Sequence, residues 1–295
     1  MRHRIDPKIV EKVVFGFLLI VSMLILIPIL WVFLITLKNG LSVITWDFLT
    51  TSPTMNAGGG IYPAIIGTLL LVVGTVIVSL PIGLGAAIYL SEYSAKNLLT
   101  RIIRIGIVSL AGIPSIVYGL FGFAFFVIFL GQFLPIDWRK SLLAGSLTLA
   151  LMVLPVVITA SREALEAVPE HFREVSLSLG ATKWQTIRYA VLPHALPGIL
   201  TGTILGIGRA AGETAPIIFI ASAWLARLPN IGNYYIFSGF MALPTYLYST
   251  FANVGKYIEN PNTPYGIALV LMILVFIITL PAILIRAKLR RGRKW

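Results

Sequence analysis

The chain has 295 residues, of which 58% are hydrophobic and 12% are charged, and its mean hydropathy is +0.93. This composition excludes an ordinary soluble domain and predicts a protein that folds in lipid. The formal charge of +12 does not indicate nucleic-acid binding, because the basic residues flank long apolar stretches instead of alternating with aromatic residues. Since the chain has no cysteine, disulfides, thiolate nucleophiles and cysteine-ligated metals are excluded.

Six apolar stretches are long enough to cross a membrane as helices. They cover about residues 13–37, 62–90, 105–131, 141–160, 195–223 and 265–285. Backbone amides in hydrocarbon need hydrogen-bond partners within their own segment, which favours helices. The first stretch is not followed by a small-residue cleavage site, so we expect it to be retained. We therefore predict an all-α membrane protein in which residues 1–295 form one transmembrane domain.

The lysines and arginines outside these stretches are unevenly distributed. Seventeen lie in four segments, which are residues 1–12, 91–104, 161–193 and 286–295. The remaining connections hold only five. By the positive-inside rule, this distribution predicts that both termini are cytoplasmic.

The outer connection, residues 224–264, is rich in aromatic side chains. They are Tyr234, Tyr235, Phe237, Phe240, Tyr246, Tyr248 and Phe251. This density is typical of an aromatic belt at the lipid headgroups or of a surface that contacts a partner.

The cytoplasmic connection, residues 161–193, is polar and carries several helix start and stop signals. Pro169 is typical of a first helical turn, and Gly180 can adopt the left-handed conformation that ends a helix. Thr182 and Gln185 have the spacing of a capping box at the start of a second helix. The pattern predicts two short helices, joined by a tight turn, that protrude into the cytoplasm.

Within this connection, Glu174 is followed by a glycine six residues later and by a Leu-Pro pair near its end. The full set of matching residues is Glu174, Gly180, Ala181, Thr182, Leu192 and Pro193. The pattern resembles the EAA loop of binding-protein-dependent ABC importer permeases, although Val175 and Ser176 replace two alanines and Ala190 replaces an isoleucine. The resemblance implies the type I ABC importer permease fold, with a coupling helix that docks on a separate ATPase subunit.

The chain contains no G-x-x-x-x-G-K-[ST] sequence, which is the phosphate-binding loop of many ATPases. The ATPase that the resemblance implies is therefore expected to be another polypeptide, which uses ATP and Mg²⁺. We expect this chain to be no enzyme, to bind no cofactor and to hold no metal.

Arg209 and Glu213 are the only ionisable residues within the six predicted spans. Arg209 is at the midpoint of residues 195–223, where an arginine costs on the order of 2.5–3.5 kcal/mol on insertion scales. Residues four apart share a helix face, so the two side chains can meet. The pair either stabilises packing or marks a transport pathway, and intramembrane charges favour the pathway.

The residues around this pair also favour a pathway. Glycines recur at every fourth position from 198 to 206, which allows close helix packing. Pro216 lacks an amide hydrogen, so we expect the helix to kink beside Glu213, and transporters place substrate sites at such breaks. The planar guanidinium of Arg209 matches an oxyanion, which predicts an anionic substrate. We expect Glu213 to hold Arg209 in the empty pathway and to yield when substrate arrives.

The sequence GRAAGETAP at residues 208–216 is similar to the fifth-helix signature of phosphate-specific ABC importer permeases of the PstA type. Residues 112–122 also resemble that family, although Pro114 and Ser115 alone are equally consistent with a simple helical kink. The resemblance implies inorganic phosphate as the substrate. It also implies a set of pathway residues, which are Arg209, Glu213, Thr214, Pro114 and Ser115.

The same resemblance implies partners and a location. The partners would be a PstC-type permease subunit in a heterodimer, two copies of a PstB-type ATPase and a periplasmic or extracellular phosphate-binding protein. The location would be the inner or plasma membrane of a bacterium or archaeon, and the mechanism would be alternating access.

Three alternatives remain at this stage. An importer for sulfate or molybdate differs only in substrate. An ion-coupled carrier is expected to have further intramembrane acids or histidines, whereas His3, His171 and His194 fall at or outside the membrane edges. An intramembrane hydrolase needs a nucleophile with a base or a metal motif, and the chain has neither pattern.

Overall fold

The computed structural model describes residues 7–53, 59–95, 97–133, 141–220, 239–253 and 260–291. These residues are almost entirely helical, apart from one antiparallel bridge between Ser141 and Gly239. The α-helices are α1 (Pro7–Leu41), α2 (Trp46–Thr50), α3 (Tyr62–Ile88), α4 (Leu98–Ala111), α5 (Ser115–Gly122), α6 (Leu130–Phe133), α7 (Leu142–Glu166), α8 (His171–Ser178), α9 (Lys183–Gln185), α10 (Leu192–Gly212), α11 (Leu243–Ala252) and α12 (Thr263–Arg291). Wider π-helical turns occupy Tyr89–Tyr93, Phe123–Phe129 and Thr186–Val191. The predicted all-α fold class is confirmed.

Six helical stretches within the described residues are long and apolar enough to cross a membrane, in agreement with the predicted number. They are Val10–Leu41, Tyr62–Tyr93, Ser115–Phe133, Leu142–Glu166, Lys183–Gly212 and Thr263–Leu289. Their outer faces carry exposed apolar side chains, such as Phe17 and Trp31 of α1. Such apolar faces are unfavourable in water but not in contact with the hydrocarbon of a lipid bilayer.

Helix α7 is the central helix of the bundle and packs against α3, α4, α5 and α10. Its inward side chains, including Leu149 and Met152, form the main core with Leu71 of α3 and Ala210 of α10. Glycines permit this close packing, since a Cβ added at Gly83 of α3 would lie 2.7 Å from the side chain of Val157.

The predicted third span, residues 105–131, is wrong in its boundaries. Residues 98–111 form the separate helix α4, and the helical conformation is interrupted at Gly112–Pro114 before α5 begins. Pro114 has a non-helical conformation, with φ −56° and ψ 136°, and precedes the first turn of α5. The physical reason is that proline has no amide to continue α4 and disfavours the helical conformation in the residue before it.

The predicted fifth span, residues 195–223, also differs from the structure. The helix ends at Gly212, and Glu213 is extended, with φ −73° and ψ 127°. The expected kink beside Glu213 is therefore a complete helix end. Residues 221–223 lie outside the described residues.

Both described ends of the chain lie at the same end of the bundle as residues 161–193, which we call the hairpin end. At the opposite end, the amide of Ile61 at the start of α3 donates to the carbonyl of Phe48, and Gly266 near the start of α12 also packs on Phe48. Gly40 near the end of α1 contacts Tyr265 there. Because α1 and α12 each span the bundle from that side, their other ends reach the hairpin end.

The aromatic connection is only partly described. Tyr234, Tyr235 and Phe237 lie outside the described residues. Phe240 and Tyr246 are buried in the core, whereas Tyr248 and Phe251 are exposed. At least two of these side chains therefore pack inside the protein and do not form a surface belt.

Candidate substrate pathway and coupling hairpin

The depth of Arg209 follows from the packing of α10 on α7. A Cβ added at three glycines of α10 would lie 2.4–2.7 Å from side chains of α7. The pairs are Gly198–Ala164, Gly202–Ala160 and Gly206–Val153. The two helices are antiparallel in this register, and one further turn of α10 places Arg209 beside the middle of α7.

Arg209 and Glu213 form an ion pair at this depth. The Nε of Arg209 donates to Oε1 of Glu213 at 3.2 Å, and the two side chains are 32% and 18% exposed. Among the described residues, Nη1 and Nη2 of Arg209 have no hydrogen-bond partner. Since these two nitrogens carry four of the five guanidinium hydrogens, most of the donor capacity is unused within the part of the chain that the structure describes.

Helix α5, which follows the interruption at Gly112–Pro114, packs beside the end of α10. A Cβ added at Gly119 would lie 2.5 Å from Cα of Pro216, so backbone meets backbone beside the end of α10. The hydroxyl of Tyr118 donates to the carbonyl of Leu110 across the break between α4 and α5. Sequence reasoning missed Tyr118 and Gly119, because neither residue is charged.

Ser115 lies on the same face of α5 as Tyr118 and Gly119, since residues three and four apart share a helix face. It begins the helix, and Pro114 offers no side-chain cap. The first amides of a helix lack intrahelical partners and favour negative charge. Thr214 occupies the opposing segment, where its carbonyl accepts from the amides of Ile217 and Ile218. A guanidinium and a helix N-terminus at a double break suit an anion that passes through the bundle.

The hairpin has the predicted local structure. Helix α8 ends before Gly180, which has φ +82°, the left-handed conformation expected of it. The Thr182 side chain accepts from the amide of Gln185, and the Gln185 side chain accepts from the amide of Thr182. The capping box is therefore confirmed.

The second helix of the hairpin is longer than expected. It continues from Lys183 through the π-helical turn and into α10, past Leu192 and Pro193. A π-helical turn before a proline accommodates it because the wider turn leaves room for the ring and does not depend on the amide hydrogen that proline lacks. The hairpin is thus continuous, through one helical stretch, with the helix that carries Arg209.

The outer surface of the hairpin is open. Glu174 is exposed, as are the apolar side chains of Val175, Leu179 and Trp184, of which Leu179 is 83% exposed. Contiguous apolar groups rimmed by polar ones are typical of a protein-binding surface. A Cβ added at Gly180 would meet nothing within 4 Å among the described residues, so packing within this part of the chain does not require the glycine.

Comparison with known proteins agrees with this arrangement. Residues 79–293 match the family model of the binding-protein-dependent transport system inner membrane component. The chain belongs to this family. The matched residues include both helix breaks and the whole hairpin, and the family prediction made from the sequence is confirmed.

Relatives include the phosphate transport system permease protein PstA 1 of Mycobacterium tuberculosis, which is 35% identical over 91% of this chain and 85% of its own length. PstA of Mycobacterium leprae is 35% identical over 93% of this chain and 86% of its own length. The probable ABC transporter permease protein YqgI of Bacillus subtilis is 33% identical over 76% of this chain and 74% of its own length.

Two solved structures share the fold. A bacterial ABC transporter involved in the import of alginate has a TM-score of 0.66 at 15% identity, covering 95% of this chain and 99% of that chain. The MetNI methionine ABC transporter in inward-facing conformations has a TM-score of 0.57 at 20% identity, covering 77% of this chain and 94% of that chain. The predicted type I ABC importer permease fold is confirmed.

Proposed function

We propose that this chain is the permease subunit of an ATP-driven importer that carries inorganic phosphate across the inner or plasma membrane. The observation that carries the proposal is the guanidinium of Arg209, held at mid-depth with Nη1 and Nη2 unpaired among the described residues. Phosphate offers oxygens in the geometry that a planar guanidinium binds in a bidentate manner. The names of the PstA relatives support the choice of phosphate.

In this mechanism the empty pathway keeps Arg209 on Glu213. Arriving phosphate takes the Nη donors first and then displaces the Glu213 carboxylate, which repels it. The α5 N-terminus, with Ser115 and its amide, faces the same junction and stabilises the anion in transit. Pro114 keeps that N-terminus exposed by ending the preceding segment, and Thr214 lines the opposing side.

The hairpin is the proposed docking site for the ATPase. Glu174 and the turn formed by Gly180, Ala181 and Thr182 face the partner, while Leu192 and Pro193 join the hairpin to the pathway helix. ATP and Mg²⁺ are bound by the ATPase, and this chain performs no bond chemistry. We place the hairpin end, with both chain ends, in the cytoplasm, because seventeen lysines and arginines lie in those segments.

The proposed assembly contains a PstC-type permease subunit, two PstB-type ATPase subunits and an external phosphate-binding protein. The two permeases rock between outward-facing and inward-facing states as the ATPases close and open. Each state exposes the junction around Arg209 to one side of the membrane.

The decisive experiment is uptake into proteoliposomes that contain the complete complex, with the binding protein outside and ATP inside. We expect uptake of radiolabelled phosphate that requires ATP and resists a tenfold excess of sulfate or molybdate. Competition by those anions would assign the pathway to another oxyanion. Uptake by this chain alone, without an ATPase, would overturn the importer assignment.

A further inference from the structure

Arg173, in the first turn of α8, binds two other elements of the bundle. Its Nη2 donates to Oε1 of Glu92 at 2.6 Å, and its Nε lies 3.2 Å from both carboxylate oxygens. Nη1 donates to the carbonyl of Val168 at 2.8 Å, and Nη2 also donates to that of Leu165 at 3.0 Å. All three guanidinium nitrogens are therefore engaged.

The Glu92–Arg173 pair is enclosed. The side chains are 12% exposed for Arg173 and 7% for Glu92. The hydrogen bond that Arg173 donates to Glu92 is the main cause that raises the pKa of Arg173 above its ordinary value, against the opposing effect of burial. The arginine stays charged, and the pair is held in one geometry.

The pair is important for the position of α8, because no apolar residue of this helix is fully buried. Next to the pair, Val168 and Phe172 pack with Leu84 and Ile88 of α3 in a small apolar cluster. Apolar contacts are non-directional and permit sliding, whereas a bidentate ion pair fixes distance and angle. Arg173 is thus the directional connection between α8 and the end of α3.

Helix α3 leads from this connection to the pathway. Glu92 lies in the π-helical turn that continues α3, and about 24–30 Å back along the helix Val76 and Val72 pack with Ile207 and Ala211. Those two residues lie two positions before and after Arg209, on the opposite face of α10, so α3 packs on the back of the segment that carries the guanidinium. A displacement of the hairpin that reaches Glu92 therefore also reaches the surroundings of the pathway guanidinium.

We propose that Glu92 and Arg173 form a positioning linkage that transmits movement of the ATPase-docking hairpin to α3 and through it to the junction around Arg209. The inference rests on the proposed function, since it assumes an ATPase that moves the hairpin. Neither residue is proposed to contact phosphate or the ATPase. The role of the Glu92–Arg173 pair is to keep ATP hydrolysis and transport in a fixed ratio.

The test measures phosphate taken up per ATP hydrolysed in proteoliposomes that hold the complete complex. For Glu92→Gln and Arg173→Lys we expect this ratio to fall on the order of tenfold, within the range typical of coupling between two sites. Lysine keeps the charge of Arg173 but cannot reproduce the planar fork that binds Glu92 and two carbonyls together. ATP hydrolysis itself is expected to continue. The double variant is expected to be no worse than either single variant, because the pair acts as a unit.

The matched control is Glu170→Gln. Glu170 approaches the same arginine at 3.7 Å but is 75% exposed, so its loss is expected to leave the ratio unchanged. A wild-type ratio in Glu92→Gln would overturn the linkage while leaving ATP-driven uptake by the wild type, and hence the proposed function, intact. Release of the ATPase from both variant complexes, measured by copurification, would also overturn it, because the pair would then belong to the docking surface. Glu92→Gln, which keeps the side-chain shape, decides the matter if Arg173→Lys does not fold.

Discussion

Among the arginine–glutamate ion pairs of the described residues, the one at the pathway and the one that links α8 to the end of α3 differ in almost every physical respect. Arg209 and Glu213 are four residues apart, and a contact of 3.2 Å through Nε joins them. Glu92 and Arg173 are 81 residues apart, and the arginine holds both carboxylate oxygens and two backbone carbonyls. The first pair is partly open, whereas the second is nearly closed to solvent.

This difference indicates different tasks. A guanidinium with unpaired Nη donors can accept a new anion before it releases its old partner. A buried pair whose donors are all used is strongly destabilised when one partner is lost, because the remaining charge stays buried. The pathway pair is suited to exchange, and the hairpin pair to a fixed geometry.

The largest effect on transport is expected when the pathway pair is disrupted at Arg209. We expect Arg209→Gln to lower phosphate uptake roughly 10- to 150-fold, because a hydrogen bond to a charged group contributes about 1.5–3 kcal/mol. Uptake in proteoliposomes measures the effect. The control is Arg101→Gln, an exposed arginine of α4 outside the hairpin and the pathway, whose loss is expected to leave uptake unchanged. Undiminished uptake in Arg209→Gln would remove the pathway pair from the mechanism.

A second prediction tests the junction beside the pathway pair. Gly119→Ala places a Cβ 2.5 Å from Cα of Pro216, and backbone cannot rotate aside as a side chain can. We expect a loss of stability of about 1–3 kcal/mol, as for other overpacked sites. Thermal unfolding in detergent is the measurement, with Gly208→Ala as the control because a Cβ there meets nothing within 4 Å. Equal melting temperatures for the two variants would contradict the close approach.

A third prediction concerns the turn of the hairpin at Gly180. Gly180 has φ +82°, and an alanine in the left-handed conformation costs about 1–2 kcal/mol. We expect Gly180→Ala to weaken copurification of the ATPase by about tenfold, since 1.4 kcal/mol corresponds to a factor of ten. Gly106→Ala, which also meets open space but at an ordinary φ, is the control. Unchanged copurification would show that the turn geometry is not required for docking.

The smallest effect is expected at Glu213. Replacing it by glutamine removes the competitor of phosphate, so Glu213→Gln is expected to tighten phosphate binding by no more than about fivefold, in keeping with the 0.2–1 kcal/mol typical of partly exposed ion pairs. Isothermal titration of the purified complex with inorganic phosphate measures the change. Weaker binding in this variant would mean that Glu213 positions Arg209 for phosphate and does not compete with it.

Much of the hairpin was predictable from the sequence because its signals are local. A left-handed glycine and a capping box depend on a few neighbouring residues, and both predictions at Gly180 and Thr182 are confirmed. The number of spans was equally predictable, since apolar length decides it. The family was recognisable from the same local motifs.

The helix ends were less predictable because they depend on competition between local and tertiary forces. Pro114 and Pro216 indicated disturbed helices, but hydropathy alone did not separate a kink from a break. The Glu92–Arg173 pair was invisible to sequence reasoning, because its partners are 81 residues apart and Glu92 ends an apolar span. Long-range pairing of this kind needs the folded structure. The pathway role of Arg209, Glu213, Thr214, Pro114 and Ser115 stays a prediction.

The most direct measurement is a structure of the complete complex with phosphate, trapped with an ATPase that binds but does not hydrolyse ATP. The expected result is phosphate within hydrogen-bond distance of Nη1 and Nη2 of Arg209, with the contact between Arg209 and Glu213 opened and that between Glu92 and Arg173 kept. Phosphate bound elsewhere in the bundle, with Arg209 still on Glu213, would contradict it.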